Sequence, residues 1–301
     1  ISGDGLTNKD GVTMKFAVAR LQQQHGQPFF LAAGFTKPHL PWNAPQRFYD
    51  MHPLDEIKLP ELKADDMVDI PPLGVDMAHT VEDTVFNDHQ KLVDAGWVGS
   101  ATQGYLATLS YADMLIGMVL DALDASPYKD NTIVVLWGDH GWHLGEKEHW
   151  RKHALWEEAT NTSLIYVVPG VTDKTPNSGA VSDAPVSLMS IYPTLVKLTG
   201  VPDADAHGDE VTPLLSCPNL AWDKPVLSAY KPGNYAVRDT RYRYIRYSDG
   251  SEELYDHQED PKEWDNRADD PALAEAKAKL LAVVPKDPAP TVGAPMPGQG
   301  D

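Results

Sequence analysis

The clearest hydrophobic pattern in the chain runs through Ser100–Ser126. There Tyr105, Leu109, Ala112, Leu115, Ile116, Val119 and Leu120 recur at i, i+3/i+4 spacing, the period of a helix that buries one face. Similar spacing predicts a helix over Val12–Gln24, with Met14, Ala17, Val18 and Leu21 on one side, and others over Ser187–Thr199 and Pro271–Val283. Two continuous apolar runs, Pro28–Phe35 and Thr132–Trp137, read as buried strands, as does Leu164–Val168 before Pro169-Gly170. Strands and helices in this order predict an α/β fold, a mostly parallel central sheet covered by helices, up to about residue 221. Beyond that point the pattern changes. Val226–Tyr230, Tyr235–Asp239, Arg241–Tyr247 and Leu254–Asp256 read as half-exposed antiparallel strands, so residues 222–284 should form a small antiparallel sheet with a packed helix. Residues 285–301 are a Pro/Gly-rich tail, expected to be loosely ordered. Residues 43–97 are irregular, Pro-rich and acidic, and are expected to act as a long loop that shapes a site.

Composition narrows the function classes. The 301 residues can bury a large core, and 42% apolar content with eight Trp indicates a globular protein. The formal charge of −19 argues against nucleic acid and anionic membranes as partners, since their phosphates would be repelled. Runs such as Phe29–Ala33 and Ser163–Val168 are too short to span a bilayer. One cysteine, Cys217, excludes an intrachain disulfide framework or a multi-Cys metal site. No signal peptide is visible, and the chain opens without Met, as if in the middle of something longer.

The chemistry concentrates after the strand Thr132–Trp137. Gly138-Asp139-His140-Gly141 ends it abruptly, and a loop bearing Trp142, His143, Glu146, Lys147, His149 and Lys152 follows. Open α/β sheets place ligand sites at such C-terminal strand ends. A turn holding one satisfied histidine would need fewer ionisable groups. Asp139 and His140 are adjacent O and N donors for a cation, a hard divalent ion such as Ca²⁺ or Mg²⁺ in preference to Zn²⁺. Lys152 would bind an anion as a point charge. Lys37-Pro38-His39 leaves the other buried strand, and in a parallel sheet both strands end at the same edge. His39 is then either a surface loop histidine or a proton donor to a leaving oxygen. Trp42, Trp142 and Trp150 are packing residues or walls for a sugar face. His52, His79, His89, His207 and His257 read as structural, and Glu157-Glu158 and Glu252-Glu253 as solvated faces.

Together these stretches resemble the sulfatase family of the alkaline phosphatase superfamily, in particular its iduronate-2-sulfatase-like branch. The resemblance runs from PFFLAAGFTKPHLPW through TIVVLWGDHGWHLGEKEHWRKHALWEEAT to SLMSIYPTLVKLTGVP and ELYDHQEDPKEWDN. It implies an alkaline-phosphatase-like α/β domain and hydrolysis of a sulfate ester on a carbohydrate. Asp139 and His140 would be two ligands of a Ca²⁺, with Mg²⁺ or Mn²⁺ as second choices. Lys152 would contact the sulfate, and His39 the sulfate or the departing oxygen. Lys37, Trp142, His143 and His149 are candidate substrate contacts. The implied nucleophile is a formylglycine hydrate, and the implied location periplasmic or secreted.

The departure from the family is as informative. The formylglycine precursor, Cys or Ser followed by x-Pro-x-Arg, does not occur, and Cys217-Pro218-Asn219-Leu220-Ala221 does not match it. The N-terminal Asp-Asp metal pair is also missing. In the family these precede the region matched here, so the chain resembles the C-terminal two-thirds of a sulfatase. A missing N-terminal segment or a companion chain would supply them. Two other readings stay open: a phosphatase or phosphonate hydrolase of the same superfamily, and a non-catalytic remnant that binds sulfated glycan. An exposed apolar sheet face would favour an incomplete enzyme over a self-sealed remnant.

Overall fold

A computed structural model describes residues 3–286 except 82, 83, 86, 175, 176, 203 and 204. The expected tail therefore lies, beyond Lys286, outside the described residues. The helices are α1 (Lys9–Leu21), α2 (Gln46–Asp50), α3 (Pro72–His79), α4 (Asp88–Asp94), α5 (Val98–Asp124), α6 (Glu157–Thr160), α7 (Ile191–Thr199), α8 (Thr212–Ser216) and α9 (Ala274–Leu281). The strands are β1 (Thr80–Val81), β2 (Thr84–Val85), β3 (Val134–Trp137), β4 (His143–Leu144), β5 (Trp150–Arg151), β6 (Leu164–Val167), β7 (Val226–Ala229), β8 (Tyr235–Arg238), β9 (Tyr242–Arg246) and β10 (Glu252–Asp256). The chain forms two units: Ile1–Glu61 with Asp88–Val134, and Leu62–Asn87 with Val135–Asp301.

In the first unit α1 and α2 pack on α5 through Met14, Ala44, Phe48, Ala107, Tyr111 and Leu115. The Asn8 side chain caps α1 by accepting from the Gly11 N–H at 2.8 Å, and the Tyr111 hydroxyl donates to Gly5 O at 2.8 Å. By length and composition α5 could cross a membrane, but its inner stripe forms this core. The run Pro28–Phe35 departs from expectation: among the described residues it joins no sheet, and Phe30 is 83% exposed. Its apolar composition suits a strand, but composition cannot supply a hydrogen-bonding neighbour.

In the second unit β7–β10 form an antiparallel meander in the order β10-β9-β8-β7. Val237, Tyr244 and Leu254 face Leu273 and Leu280 at the C-terminal helical segment. Ala236, Ile245, Tyr247 and Tyr255 face Trp156, Leu155, Ile70 and Met77. The alternation that predicts half-exposed strands thus fails over β8–β10, because α9 covers one face and α3 with the 154–159 segment covers the other. Ile70 and Met77 also show that part of the irregular 43–97 stretch packs into this core. The strands β3 and β6 pair as expected, as a two-stranded sheet, with Gly138 N–H donating to Ser163 O at 3.0 Å.

Candidate active site

The Asp139–His140 pair stands at the C-terminal end of β3, held from both sides. Gly141 N–H donates to Ala159 O at 2.8 Å, and a Cβ at Gly141 would lie 2.1 Å from Glu158 O. At Gly138 a Cβ would lie 2.2 Å from Thr162 Oγ1. Gly141 is therefore required by close approach to the backbone leading into β6, whereas at Gly138 the Thr162 side chain would have to turn away. Between them the Asp139 side chain is 84% exposed and that of His140 27% exposed. His140 Nδ1 lies 2.7 Å from Gly141 O, which can only accept, so Nε2 is the ring nitrogen left to serve as a ligand. That nitrogen is 3.4 Å from Asp139 Oδ2. A carboxylate oxygen and an imidazole lone pair side by side, with the second ring nitrogen anchored to backbone, are a fit donor pair for a divalent cation. Two donors are too few for Ca²⁺, so further ligands would have to join them.

The following loop is fastened to the C-terminal sheet. His143, Gly145, Lys147 and His149 are buried at alternate positions around the β4–β5 ribbon. Lys147 Nζ pairs with Asp66 Oδ1 at 2.5 Å and also donates to Glu263 O. It adopts φ 55°, and Glu148 follows at φ 51°. Beyond Lys152, Trp156 Nε1 donates to Glu253 Oε2 at 2.7 Å and Arg243 Nη1 to Leu155 O at 3.1 Å. The Glu253 carboxyl, fully buried and raised in pKa by that burial, also accepts from Tyr247 and Tyr255. Glu253 is thus an interior acceptor and not the solvated side chain its sequence context suggests. Lys152 is half-buried, carried between these anchors, and Trp142 is half-buried with its ring 6.2 Å from that of His140.

Two expected substrate contacts are corrected. His143 and His149 are 0% and 1% exposed, with ring centroids 5.0 Å apart, and so are packing groups beyond the reach of substrate. Burial drives both pKa values down, that of His149 to about 4, and His149 Nδ1 bonds Ala78 O at 2.7 Å. Both rings are neutral at pH 7.

In the other unit, the buried Asp10 of α1 accepts from the Thr36 and Lys37 backbone N–H groups at 2.8 and 3.0 Å. This sets the turn that carries Lys37 and His39. Lys37 Nζ folds back to donate to His39 O and Pro41 O, and partial burial lowers its pKa. His39 is exposed, with Nδ1 2.7 Å from Leu40 O.

Glu157, His257 and Glu263 bring three potential metal donors together in the second unit. Their lone pairs are taken by protein cations. Arg243 Nε lies 2.6 Å from Glu263 Oε1, Arg243 Nη2 binds Glu157, and Arg238 Nη2 lies 3.1 Å from His257 Nδ1. Burial alone would raise the pKa of Glu263, but Arg243 and His257 outweigh it and hold the carboxyl at about 2. Such a cluster locks the 155–157 segment to the sheet and has no room for a cation.

Comparison with known proteins identifies the family. The family model described as Sulfatase covers residues 4–201, and N-sulphoglucosamine sulphohydrolase, C-terminal, covers residues 145–286. A sulfatase of Formosa agariphila is 38% identical over 278 residues, 92% of this chain and 53% of that protein. Human iduronate 2-sulfatase is 29% identical over 65% of this chain and 40% of its own length. The chain spans about half the length of the curated relatives it matches. Among solved structures, BT4656 in complex with its substrate D-glucosamine-2-N,6-O-disulfate aligns with a TM-score of 0.73 at 20% identity, covering 91% of this chain and 68% of that one. A phosphonate monoester hydrolase from Silicibacter pomeroyi aligns with a TM-score of 0.76 at 23% identity, over 91% and 58%. These two likenesses concern the fold, which is the alkaline-phosphatase-like α/β fold with a small antiparallel C-terminal sheet. By its family match over residues 4–201, the chain belongs to the sulfatase family.

Proposed function

We propose that the protein containing this chain hydrolyses sulfate esters on a carbohydrate of polysaccharide or glycosaminoglycan type. The observation that carries this reading is the Asp139–His140 pair at the end of β3, with Asp139 exposed and His140 Nδ1 anchored on Gly141 O. Asp139 and His140 would hold a Ca²⁺, which when bound supplies a Lewis acid to the sulfate oxygens. Lys152 would add a positive charge to those oxygens, where negative charge builds up in the transition state. His39 would protonate the departing sugar oxygen, and Lys37 and Trp142 would contact substrate. Formylglycine and the remaining metal ligands would come from a segment outside this chain or from a companion chain. Apolar exposure along β3 and β6 supports an added layer: Trp137 is 48% exposed, Ile165 53% and Val167 45%. The relatives' names, among them a Delta 4,5-hexuronate-2-O-sulfatase of Bacteroides thetaiotaomicron, support a sulfated sugar as substrate. A periplasmic or secreted location follows from the family resemblance.

The test is sulfate release by the full-length protein from a 2-O-sulfated uronate disaccharide, with and without Ca²⁺. Calcium-dependent release is expected. Hydrolysis of a phosphonate monoester in preference to any sulfate ester would overturn the proposal.

A further inference from the structure

We propose that the turn between β7 and β8 reads a second negative group on the substrate, through Lys231 supported by Tyr230. The inference rests on the role given above to Lys152. His153, the next residue after Lys152, stacks on Tyr230 with ring centroids 5.4 Å apart and planes 8° from parallel. Lys231 Nζ lies 5.8 Å from the Tyr230 ring centroid, and Lys231 and Pro232 are exposed. The turn is therefore held directly against the segment that carries the sulfate-binding lysine.

Its geometry is fixed at both ends. Tyr230 N–H donates to Asn234 O at 3.2 Å, and the Asn234 side chain accepts from Ser248 N–H at 3.0 Å. Within it Lys231 holds φ 57°. That conformation costs an L side chain free energy and costs glycine almost none, so a lysine there is a poor choice for the turn alone. Charge gives the side chain a purpose. The chain as a whole carries −19, a field that repels anions, yet Lys231 lies beside the Tyr230 ring that stacks on His153, the residue after Lys152. One lysine suffices for one sulfate. A second cation, set one aromatic stack away, suits a polyanionic sugar whose next charged group is a uronate carboxylate or another sulfate. Lys231 is then a specificity residue, and Tyr230 positions it.

The experiment compares Lys231→Gln and Lys231→Gly with the full-length wild-type protein. Three substrates are used: 4-nitrophenyl sulfate, a monosulfated uronate disaccharide, and a disulfated disaccharide without a carboxylate. In both variants the kcat/KM preference for a doubly charged sugar over 4-nitrophenyl sulfate should fall roughly tenfold, through KM, as expected for one lost charge-assisted contact. The doubly charged substrate that suffers more identifies carboxylate or sulfate as the group read. Lys231→Gly, which relieves the φ 57° turn, should melt no lower than wild type, so a lost preference in it reports the missing charge and not a damaged fold. An unchanged preference in both variants, with wild-type sulfatase activity intact, overturns this inference alone. Absence of sulfate-ester hydrolysis in the wild type overturns the functional reading and this inference with it.

Discussion

Lys147 Nζ and Asp66 Oδ1 lie 2.5 Å apart with both side chains buried, joining the loop that follows Asp139–His140 to a residue 81 positions earlier. The pair fixes the loop between His140 and Lys152 at its midpoint. Burial raises the Asp66 pKa, and the lysine opposes that shift. Removing one partner leaves a buried charge without compensation, whereas removing both does not. Lys147→Met should therefore destabilise the protein by about 3–5 kcal/mol in urea denaturation. Lys147→Met with Asp66→Leu should recover much of that loss. A double variant as unstable as the sum of the two single ones would mean the pair contributes nothing as a pair.

At the proposed metal site, Asp139→Asn replaces a carboxylate with a neutral amide in an exposed position, so the fold should survive. Titration calorimetry on the full-length protein should then register a loss of Ca²⁺ affinity of tenfold or more. Undiminished affinity would remove Asp139 from the site. Lys152→Ala should lower kcat/KM for a sulfate ester by about 2–4 kcal/mol of transition-state stabilisation, the scale of a lost oxyanion donor. Steady-state kinetics with unchanged kcat/KM would exclude Lys152 from contact with the sulfate.

Gly141 offers a steric test. A methyl group there would sit 2.1 Å from Glu158 O and 2.4 Å from Asn161 O, both backbone atoms with little freedom to move. Gly141→Ala should displace the Asp139–His140 turn and weaken Ca²⁺ binding together with thermal stability. Gly96→Ala is a useful contrast: its φ is 67°, but nothing lies within 4 Å of the added Cβ. A variant at Gly141 with wild-type melting and wild-type calcium affinity would mean that the β3 end is looser than its packing implies.

The long helix α5 was legible in the sequence from its uninterrupted apolar period and the strand before Asp139 from its unbroken apolar run, while the C-terminal strands were legible as strands but not as buried on both faces. Period fails where the inward row is itself polar. His143, Lys147 and His149 face inward at alternate positions, with Gly145 between them, and a search for hydrophobic alternation passes over such a row. Their ionisable character suggests a surface, and only the partners reveal an interior: Asp66, Ala78 O and Trp156. Glu253 misleads in the same way, because the hydroxyls of Tyr247 and Tyr255 and the indole of the distant Trp156 make its burial tolerable. In the opposite direction, Pro28–Phe35 has the composition of a buried strand, and the partner a strand requires is not encoded in the run. The Asp139–Lys152 stretch was singled out as a candidate site by residue type and order. The need for Gly141 was not, since its constraint comes from the backbone of Glu158 and Asn161, about twenty residues later.

The buried histidines predict how stability responds to acid. His149 has its pKa lowered from 6.5 to about 4, chiefly by burial, with the bond to Ala78 O opposing the shift. In the unfolded chain the ring protonates near pH 6.5, while in the folded chain it resists protonation until about pH 4. Over that window the unfolded state binds more protons, so stability falls as pH falls and is fully present only above about pH 6.5. The single ring should account for a loss of about 3 kcal/mol across the window. His143, shifted the same way by burial and by His149 beside it, steepens the slope. Urea denaturation at pH 7, 6, 5 and 4 should follow this course in the wild type. His149→Gln, which can still donate to Ala78 O but cannot titrate, should flatten it while leaving most of the stability at pH 7. An identical slope in both proteins would assign the acid response to the carboxylates instead. Glu263, held at about 2 by Arg243 and His257, loses its contribution only as pH falls from about 4.5 toward that value. The two contributions therefore overlap only near pH 4, and the upper one belongs to the histidines of the loop after Asp139–His140.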